Sequence, residues 1–287
     1  MASSSDGSVL MACTSSSYYT STDSGASWTH VDSWRIPFYN ARSIASSSDG
    51  TKVVVVQSDA NAIYTSANNG TTWSTHKISQ LGQSWRQITS SPDGSNLAAV
   101  VQGGGIYTSM DGGNTWKYTL APTLDWTSIT SSYDGLFLAA AANRDGVYSS
   151  TDGGTTWSQA LTPSSSWESI TSIASSSDGS KLVAAGYGSM YTSTDSGTTW
   201  TQSPGSYNFY VALAFSEDCQ RLAGAQSGGI YTSSDFGATW NLTSAPISLS
   251  GYSAIASSSD GLKLAATLYD GGIYTSTDGG DNWVQVL

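Results

Sequence analysis

The chain has 287 residues and a formal net charge of -11, and only 11% of its residues are charged. Its 10 basic residues against 21 acidic ones exclude the phosphate-neutralising surface that nucleic-acid binding needs. No apolar run reaches the roughly 18 residues of a membrane-spanning helix, and the first residues lack the basic and apolar regions of a signal peptide, so membrane insertion is not expected.

Eleven Trp, 16 Tyr and 30 Gly predict short aromatic-rich strands joined by tight turns rather than helices. Cys13 and Cys219 allow at most one disulfide, and buried inert thiols are the simpler interpretation. With His30 and His76 as the only histidines, neither a Ser-His-Asp triad nor a histidine metal centre is supported. We therefore predict no metal and no cofactor.

A turn motif of the form Ser-x-Asp-x-Gly-x-(Thr/Ser)-Trp occurs first at Ser21–Trp28, and six variants of it follow. Consecutive motif tryptophans are 40 to 45 residues apart. The carboxylate or amide positions of the motif are Asp23, Asn68, Asp111, Asp152, Asp195, Asp235 and Asp278. A fixed period of this length indicates a repeat architecture.

A second turn, Ser-x-Asp-Gly or a close variant, leads each repeat into an apolar stretch, and its aspartates are Asp6, Asp49, Asp93, Asp134, Asp178, Asp218 and Asp260. Taken in chain order, the third repeat shows a strand at 85–89, this turn, strands at 96–101 and 105–109, the first motif, and a strand at 117–120. Four short strands in about 42 residues are typical of one propeller blade.

The seven repeats predict an all-β fold, a seven-bladed β-propeller of four-stranded antiparallel blades. Residues 1–287 should form this single domain, because one blade cannot bury both of its faces without its neighbours. Aligning Asp6 on Asp49 places Met1 level with Ile44, so the first strand of blade one should be truncated.

The turn motif resembles the Asp-box, or BNR repeat, of sialidases, sortilin-type receptors, some glycanases and the photosystem II assembly factors. The resemblance places the box between the third and fourth strand of each blade. Its Asp or Asn should accept backbone N–H bonds, its Gly should supply the positive φ and its Trp should lie under the hairpin. Each box offers one carboxylate where calcium needs six to eight oxygens, so we expect a structural role.

The predicted topology places both aspartate turns on one rim of the propeller and the inter-blade linkers on the other. Variable loops on a rigid scaffold carry most binding chemistry, so we expect ligands at the linker rim. The candidate binding residues are Trp34, Arg35, Arg42, Trp85, Arg86, Trp126, Trp167, Tyr210 and Tyr252. The alternative is that the aromatic rings fill the gaps between neighbouring blades.

Arg42 and Arg86 stand at the same place in consecutive repeats, seven residues before Asp49 and Asp93. Two adjacent guanidinium groups in so acidic a chain would favour a carboxylate or sulfate on a partner. The alternative is pairing with a nearby acid such as Asp32 or Asp125.

Together these features favour a non-catalytic scaffold, lectin-like or protein-binding, that takes a glycan or a protein segment at the linker rim. A glycoside hydrolase with a carboxylate pair on this rim is one alternative, and an assembly-factor-like protein adaptor is another. A sialidase is disfavoured because only Glu168 and Glu217 are present and Arg35-Ile36-Pro37 follows the first box. Low charge and Ser/Thr richness favour an extracellular or cell-surface location, and the sequence does not specify an oligomer.

Overall fold

A computed structural model describes residues 1–13, 17–31, 40–58, 61–78, 84–160, 170–186, 189–203, 212–226, 228–247, 251–269 and 271–286. Within these ranges every regular element is a β-strand. None of the described residues belongs to a helix long and apolar enough to cross a membrane. The all-β prediction is therefore confirmed.

The first three repeats contain twelve strands. They are β1 (Ala2–Ser3), β2 (Leu10–Cys13), β3 (Tyr18–Ser21), β4 (Thr29–Val31), β5 (Ala41–Ser46), β6 (Val53–Gln57), β7 (Ala62–Ser66), β8 (Ser74–Lys77), β9 (Trp85–Ser90), β10 (Leu97–Gly104), β11 (Ile106–Ser109) and β12 (Lys117–Tyr118).

The remaining four repeats contain sixteen strands. They are β13 (Leu124–Ser131), β14 (Leu138–Ala142), β15 (Gly146–Ser150), β16 (Ser158–Gln159), β17 (Ile170–Ser175), β18 (Leu182–Gly186), β19 (Ser189–Ser193), β20 (Thr201–Gln202), β21 (Ala212–Phe215), β22 (Leu222–Gln226), β23 (Gly229–Ser233), β24 (Asn241–Leu242), β25 (Tyr252–Ser257), β26 (Leu264–Leu268), β27 (Ile273–Ser276) and β28 (Val284–Gln285).

Burial falls across each repeat from its second strand to its fourth. Second strands such as β6, β14 and β18 are buried at every residue and consist largely of Val, Ala and Leu. Fourth strands such as β12 and β28 are two residues long and exposed. A short, exposed outer strand limits edge-to-edge pairing with other chains.

The hydrophobic core lies between successive repeats rather than within one sheet. Val54, Val56 and Ile63 of the second repeat pack against Trp85 and Ile88 of the third. Equivalent clusters join the first repeat to the second, and each repeat from the third to the sixth to the next along the chain. Because each sheet buries its faces only against its neighbours, the repeats stabilise one another.

The prediction of seven separate four-stranded blades is wrong. Five four-stranded sheets stand as separate blades, namely β1–β4, β5–β8, β17–β20, β21–β24 and β25–β28, all antiparallel. The eight strands β9–β16 form one continuous sheet, in which Gln102 of β10 pairs with Asp125 of β13 and Gly104 pairs with Leu124. Only five residues separate β12 from β13, and this short connection holds β13 beside the extended end of β10.

A circle of backbone hydrogen bonds connects the repeats around the central channel. It runs through the residue that precedes each second-turn aspartate, and we call these residues the inner ring: Ser5, Ser48, Pro92, Tyr133, Ser177, Glu217 and Ser259. Its bonds are Ser5 N–H to Ser48 O, Ser48 N–H to Pro92 O, Tyr133 N–H to Ser177 O, Ser177 N–H to Glu217 O, Glu217 N–H to Ser259 O and Ser259 N–H to Ser5 O. The last of these bonds joins the final repeat to the first.

Candidate functional site

The box carboxylates are satisfied within their own turns. Asp111 accepts the backbone N–H of Thr115 at 2.8 Å and the hydroxyls of Ser109 and Thr115 at 2.8 and 2.6 Å. Ser109 Oγ also accepts the Gly113 N–H at 2.9 Å. The backbone bond to the residue four positions later recurs at Asp23, Asn68, Asp152, Asp195, Asp235 and Asp278. Each box is therefore a turn whose polar groups bond to one another.

The second-turn aspartates are held in the same way. Asp93 accepts the Ser91 hydroxyl at 2.6 Å and the Ser95 backbone N–H at 2.9 Å. These bonds, the Ser91 hydroxyl first, lower the pKa of Asp93 to about 2 because they favour the charged form. The rim that carries both kinds of turn is accordingly built from ionised carboxylates that already have donors.

The opposite, linker-side end of the channel is shaped by a β-bulge in the first strand of five repeats. In β5 the register passes from Ala41 opposite Gln57 to Ser43 opposite Val56, so Arg42 has no partner in β6. The residues that the strand register skips in this way, here called the bulge residues, are Arg42, Arg86, Thr127, Thr171 and Ser253. A bulge re-aims the side chain of its extra residue, which makes it a common device next to binding sites.

The residue after the bulge ties one repeat to the next. Gln87 Oε1 accepts the Ile129 N–H at 2.9 Å, and Ser128 Oγ accepts the Ile173 N–H at 2.9 Å. These bonds tie the strand to the next repeat directly after the bulges at Arg86 and Thr127.

The residue before the bulge is an aromatic ring in three repeats, and those rings are buried. Trp85 is 1% exposed, and Trp126 and Tyr252 are 0% exposed. Trp126 packs edge-on against Tyr148 with ring centroids 5.4 Å apart, while the Tyr252 hydroxyl donates to the Pro246 carbonyl at 2.7 Å. This burial favours the packing interpretation, and ligand binding by these three residues stays a prediction.

The bulges that carry Arg42 and Arg86 belong to neighbouring repeats and lie side by side, since the Ile88 N–H donates to Ser43 Oγ at 3.3 Å. Arg42 is exposed and Arg86 is half-buried. Partial desolvation lowers the pKa of Arg42, the like charge of Arg86 lowers it further, and Tyr269 opposes the shift. The two arginines thus stand on adjacent bulges, and the closeness of their guanidinium groups stays a prediction.

Of the two acids that the sequence offers as alternative partners for these arginines, the structure describes Asp125. Asp125 Oδ2 accepts a hydrogen bond from Asn143 Nδ2 at 3.1 Å. Asp32 lies outside the described residues, as do the predicted binding residues Trp34, Arg35, Trp167 and Tyr210. The described part of this mouth is thus a pair of cationic side chains beside hydroxyl-bearing bulge residues.

Sequence reasoning missed four members of this surface. Thr127, Thr171 and Ser253 occupy the same bulge position as the arginines, and counting seven residues back from each second-turn aspartate finds all three. Tyr269, whose side chain is 65% exposed, carries no sequence signal because it lies in a loop rather than at a repeated position. Across the described ranges, no group of three or more His, Cys, Asp or Glu side chains forms a metal site.

Comparison with known proteins gives the same family that the turn motif resembles. The model of the family described as photosynthesis system II assembly factor YCF48 matches residues 14–218, and the BNR-Asp box repeat model matches residues 230–243. No curated protein matches the chain.

Three solved structures illustrate the fold. YCF48 from Cyanidioschyzon merolae is 15% identical with a TM-score of 0.65, covering 85% of this chain and 84% of its own. The structure titled YCF48 bound to D1 peptide is 17% identical with a TM-score of 0.69, and the match covers 96% of this chain and 89% of that structure's chain. The GH74 xyloglucanase from Xanthomonas campestris is 15% identical with a TM-score of 0.70, covering 96% of this chain but 50% of its own.

These structures share the fold with this chain, and at such low identity they establish the fold alone. The family model, in contrast, extends over most of the sequence. The chain belongs to the photosynthesis system II assembly factor YCF48 family.

Proposed function

We propose that this chain is a non-catalytic protein adaptor that holds a segment of a client protein at the linker-side mouth of its channel. Membership of an assembly-factor family supports a protein partner. The structure titled YCF48 bound to D1 peptide supports a peptide segment as the form in which that partner is held. The observation that carries the proposal is the adjacent pair Arg42 and Arg86 on neighbouring β-bulges.

The chemistry of this pair selects a carboxylate. Two guanidinium groups present several N–H donors in fixed planes, and bidentate pairing with a carboxylate uses both charge and geometry. The segment would carry acidic side chains or a free C-terminal carboxylate. The Thr127 and Thr171 hydroxyls, which donate to Ala141 O and Ala185 O, would accept N–H bonds from its backbone. Because the bulges are fixed by inter-repeat hydrogen bonds, little ordering of the site accompanies binding.

A protein segment fits this surface better than a glycan does. Sugar recognition needs flat aromatic faces open to solvent, but Trp85, Trp126 and Tyr252 are buried. Among the described residues of the mouth, Tyr269 is the aromatic ring that is exposed, and it stands beside cationic and hydroxyl groups. Glycan binding is the alternative outcome of the experiment that follows.

The proposal is tested by fluorescence anisotropy with an acidic ten-residue peptide that ends in a free carboxylate. The double variant Arg42→Gln/Arg86→Gln should weaken binding by about 10- to 100-fold, since each charge-assisted hydrogen bond contributes about 1.5–3 kcal/mol. Arg144→Gln is the matched control for each single variant, Arg42→Gln or Arg86→Gln, because it also removes one charge and Arg144 lies in the exposed turn between β14 and β15.

Equal weakening by the control would mean that binding follows net charge rather than the arginine pair, which contradicts the proposal. If the wild-type protein does not bind the peptide but binds to a glycan array, the adaptor proposal is overturned in favour of a lectin. An amidated twin of the peptide shows how much of the affinity comes from the terminal carboxylate.

A further inference from the structure

The end of the channel away from the arginines contains a cavity of about 460 Å³. Its wall is formed by the inner ring and by the ends of the first strands. The strand ends contribute Ser3, Ser46, Ser90, Ser131, Ser175, Phe215 and Ser257. Six of these seven positions are serine, so the wall is rich in hydroxyl and carbonyl oxygens and poor in cationic groups.

One sector of this cavity departs from the repeat. Tyr133, Ser177 and Glu217 are consecutive members of the inner ring, joined by the Tyr133 N–H to Ser177 O bond at 2.6 Å and the Ser177 N–H to Glu217 O bond at 2.9 Å. The Tyr133 side chain is 61% exposed, and the Glu217 side chain is also exposed. An aromatic face and a carboxylate therefore flank a hydroxyl at the cavity mouth.

The inner ring is interrupted beside this sector. Pro92 has no backbone N–H, so it cannot donate the ring bond that would end on the Tyr133 carbonyl. That carbonyl oxygen keeps its capacity to accept at the edge of the cavity. A ligand that donates hydrogen bonds would find this acceptor next to Tyr133 and Glu217.

The charge of this rim favours a cation. Eight carboxylates belong to the inner turns of the rim, namely the seven second-turn aspartates and Glu217. Against them stand Lys52, Lys181, Lys263 and Arg221, and the ammonium groups of the three lysines donate to backbone carbonyls of the neighbouring repeats. Hydrogen bonds lower the pKa of Asp6, Asp93 and Asp178 to about 2, so these groups stay negative at neutral pH.

We propose that this mouth is a second binding site, which takes an organic ammonium group in the sector formed by Tyr133, Ser177 and Glu217. The carboxylate would pair with the cation, the tyrosine ring would offer its face, and the Ser177 hydroxyl and the Tyr133 carbonyl would accept N–H bonds. The alkyl stem of the ligand would extend into the channel. A polyamine and a lysine side chain share this chemistry, and the site is independent of the arginine pair at the opposite end.

Isothermal titration calorimetry with two probes tests this site. One probe is spermidine, and the other is a tripeptide with a central lysine, acetylated and amidated so that the side chain is its only charge. Glu217→Gln should weaken binding about tenfold, and Tyr133→Leu should weaken it several-fold. Asp281→Asn is the control, since it removes one carboxylate from the same rim outside the cavity and should change the Kd less than twofold.

Spermidine binding without tripeptide binding identifies a polyamine site, and tripeptide binding identifies a site for a protein lysine. Failure of both probes to bind would overturn the inference. Equal losses for Glu217→Gln and Asp281→Asn would also overturn it, because attraction would then come from the whole rim. Arg42→Gln/Arg86→Gln should leave this binding unchanged, so the two sites are tested separately.

Discussion

The two rims of the ring use polar side chains in opposite ways. On the rim of the aspartate turns, carboxylates such as Asp93 and Asp111 are bonded by serine or threonine hydroxyls and backbone N–H groups a few residues away. On the linker rim, Arg42 and Arg86 stand on bulges where three other repeats have Thr or Ser. Polar residues that recur in every repeat stabilise the turns, whereas residues that depart from the repeat form the two sites that we propose, the arginine pair on the linker rim and Tyr133 with Glu217 on the turn rim.

The largest expected effect concerns the aromatic residues before the bulges. Trp126→Ala should reduce the free energy of unfolding by about 3–5 kcal/mol, because the ring is fully buried and its removal leaves a cavity. Tyr269→Ala, at an exposed ring on the same side, should change it by less than about 0.5 kcal/mol. Urea denaturation measures both, and a stable Trp126→Ala protein that has lost peptide binding would contradict the packing interpretation.

A smaller effect separates two adjacent glycines of one box. Gly113→Ala should cost about 1–3 kcal/mol, since its φ is +88° and a Cβ there would lie 2.7 Å from Thr65 Cγ2 of the preceding repeat. Gly112→Ser should cost less than about 1 kcal/mol, because Ser24 and Ser196 occupy the same turn position at φ 58° and 57°. Equal stability losses in thermal unfolding would show that close packing between repeats does not distinguish the two positions.

A box carboxylate should stabilise the fold more through the hydrogen bonds it accepts than through its charge. Asp111→Ala should reduce the free energy of unfolding by about 1 kcal/mol, because the Thr115 N–H loses its acceptor. Asp111→Asn should remain within about 0.5 kcal/mol of wild type, since Asn68 accepts the equivalent bond at 2.8 Å. Chemical denaturation of both variants checks this order, and the reverse order would contradict it.

The smallest expected effect is the contribution that any single carboxylate makes to the loss of stability in acid. Hydrogen bonding lowers the pKa of Asp6, Asp93, Asp111 and Asp178 to about 2 in the folded chain, against about 3.9 in an unfolded one. A depressed folded pKa gives stability that is complete above pH 4 and is lost as the pH falls toward 2. We expect the Tm to fall over this range, with a slightly shallower fall in Asp111→Asn. A Tm that is constant between pH 4 and pH 2 would contradict this role.

Sequence predicted the parts of this molecule that depend on local bonding. The box and the second turn close within two to five residues, so a repeated Ser, Asp and Gly is enough to identify them. The alignment of Arg42 with Arg86 was also visible, because both are counted from a turn aspartate.

Features that depend on pairing between distant strands were not predictable in this way. The fusion of the third and fourth repeats depends on the register of Gln102 against Asp125. The bulges likewise depend on how β5 and β9 pair with their second strands, and no residue type requires them. Counting back from the turn aspartate places Trp126 in its repeat, but the burial of its ring depends on packing against the neighbouring repeat.

Hydrogen exchange with and without a bound acidic peptide tests most directly whether that peptide binds at the linker rim. Our account predicts slower exchange in the peptide complex at the bulge segments 41–43 and 85–87, with unchanged exchange in the turns at 93–95 and 111–115. Protection of the turns instead of the bulges would contradict it, because the acidic peptide would then occupy the rim at which we propose a site for cations.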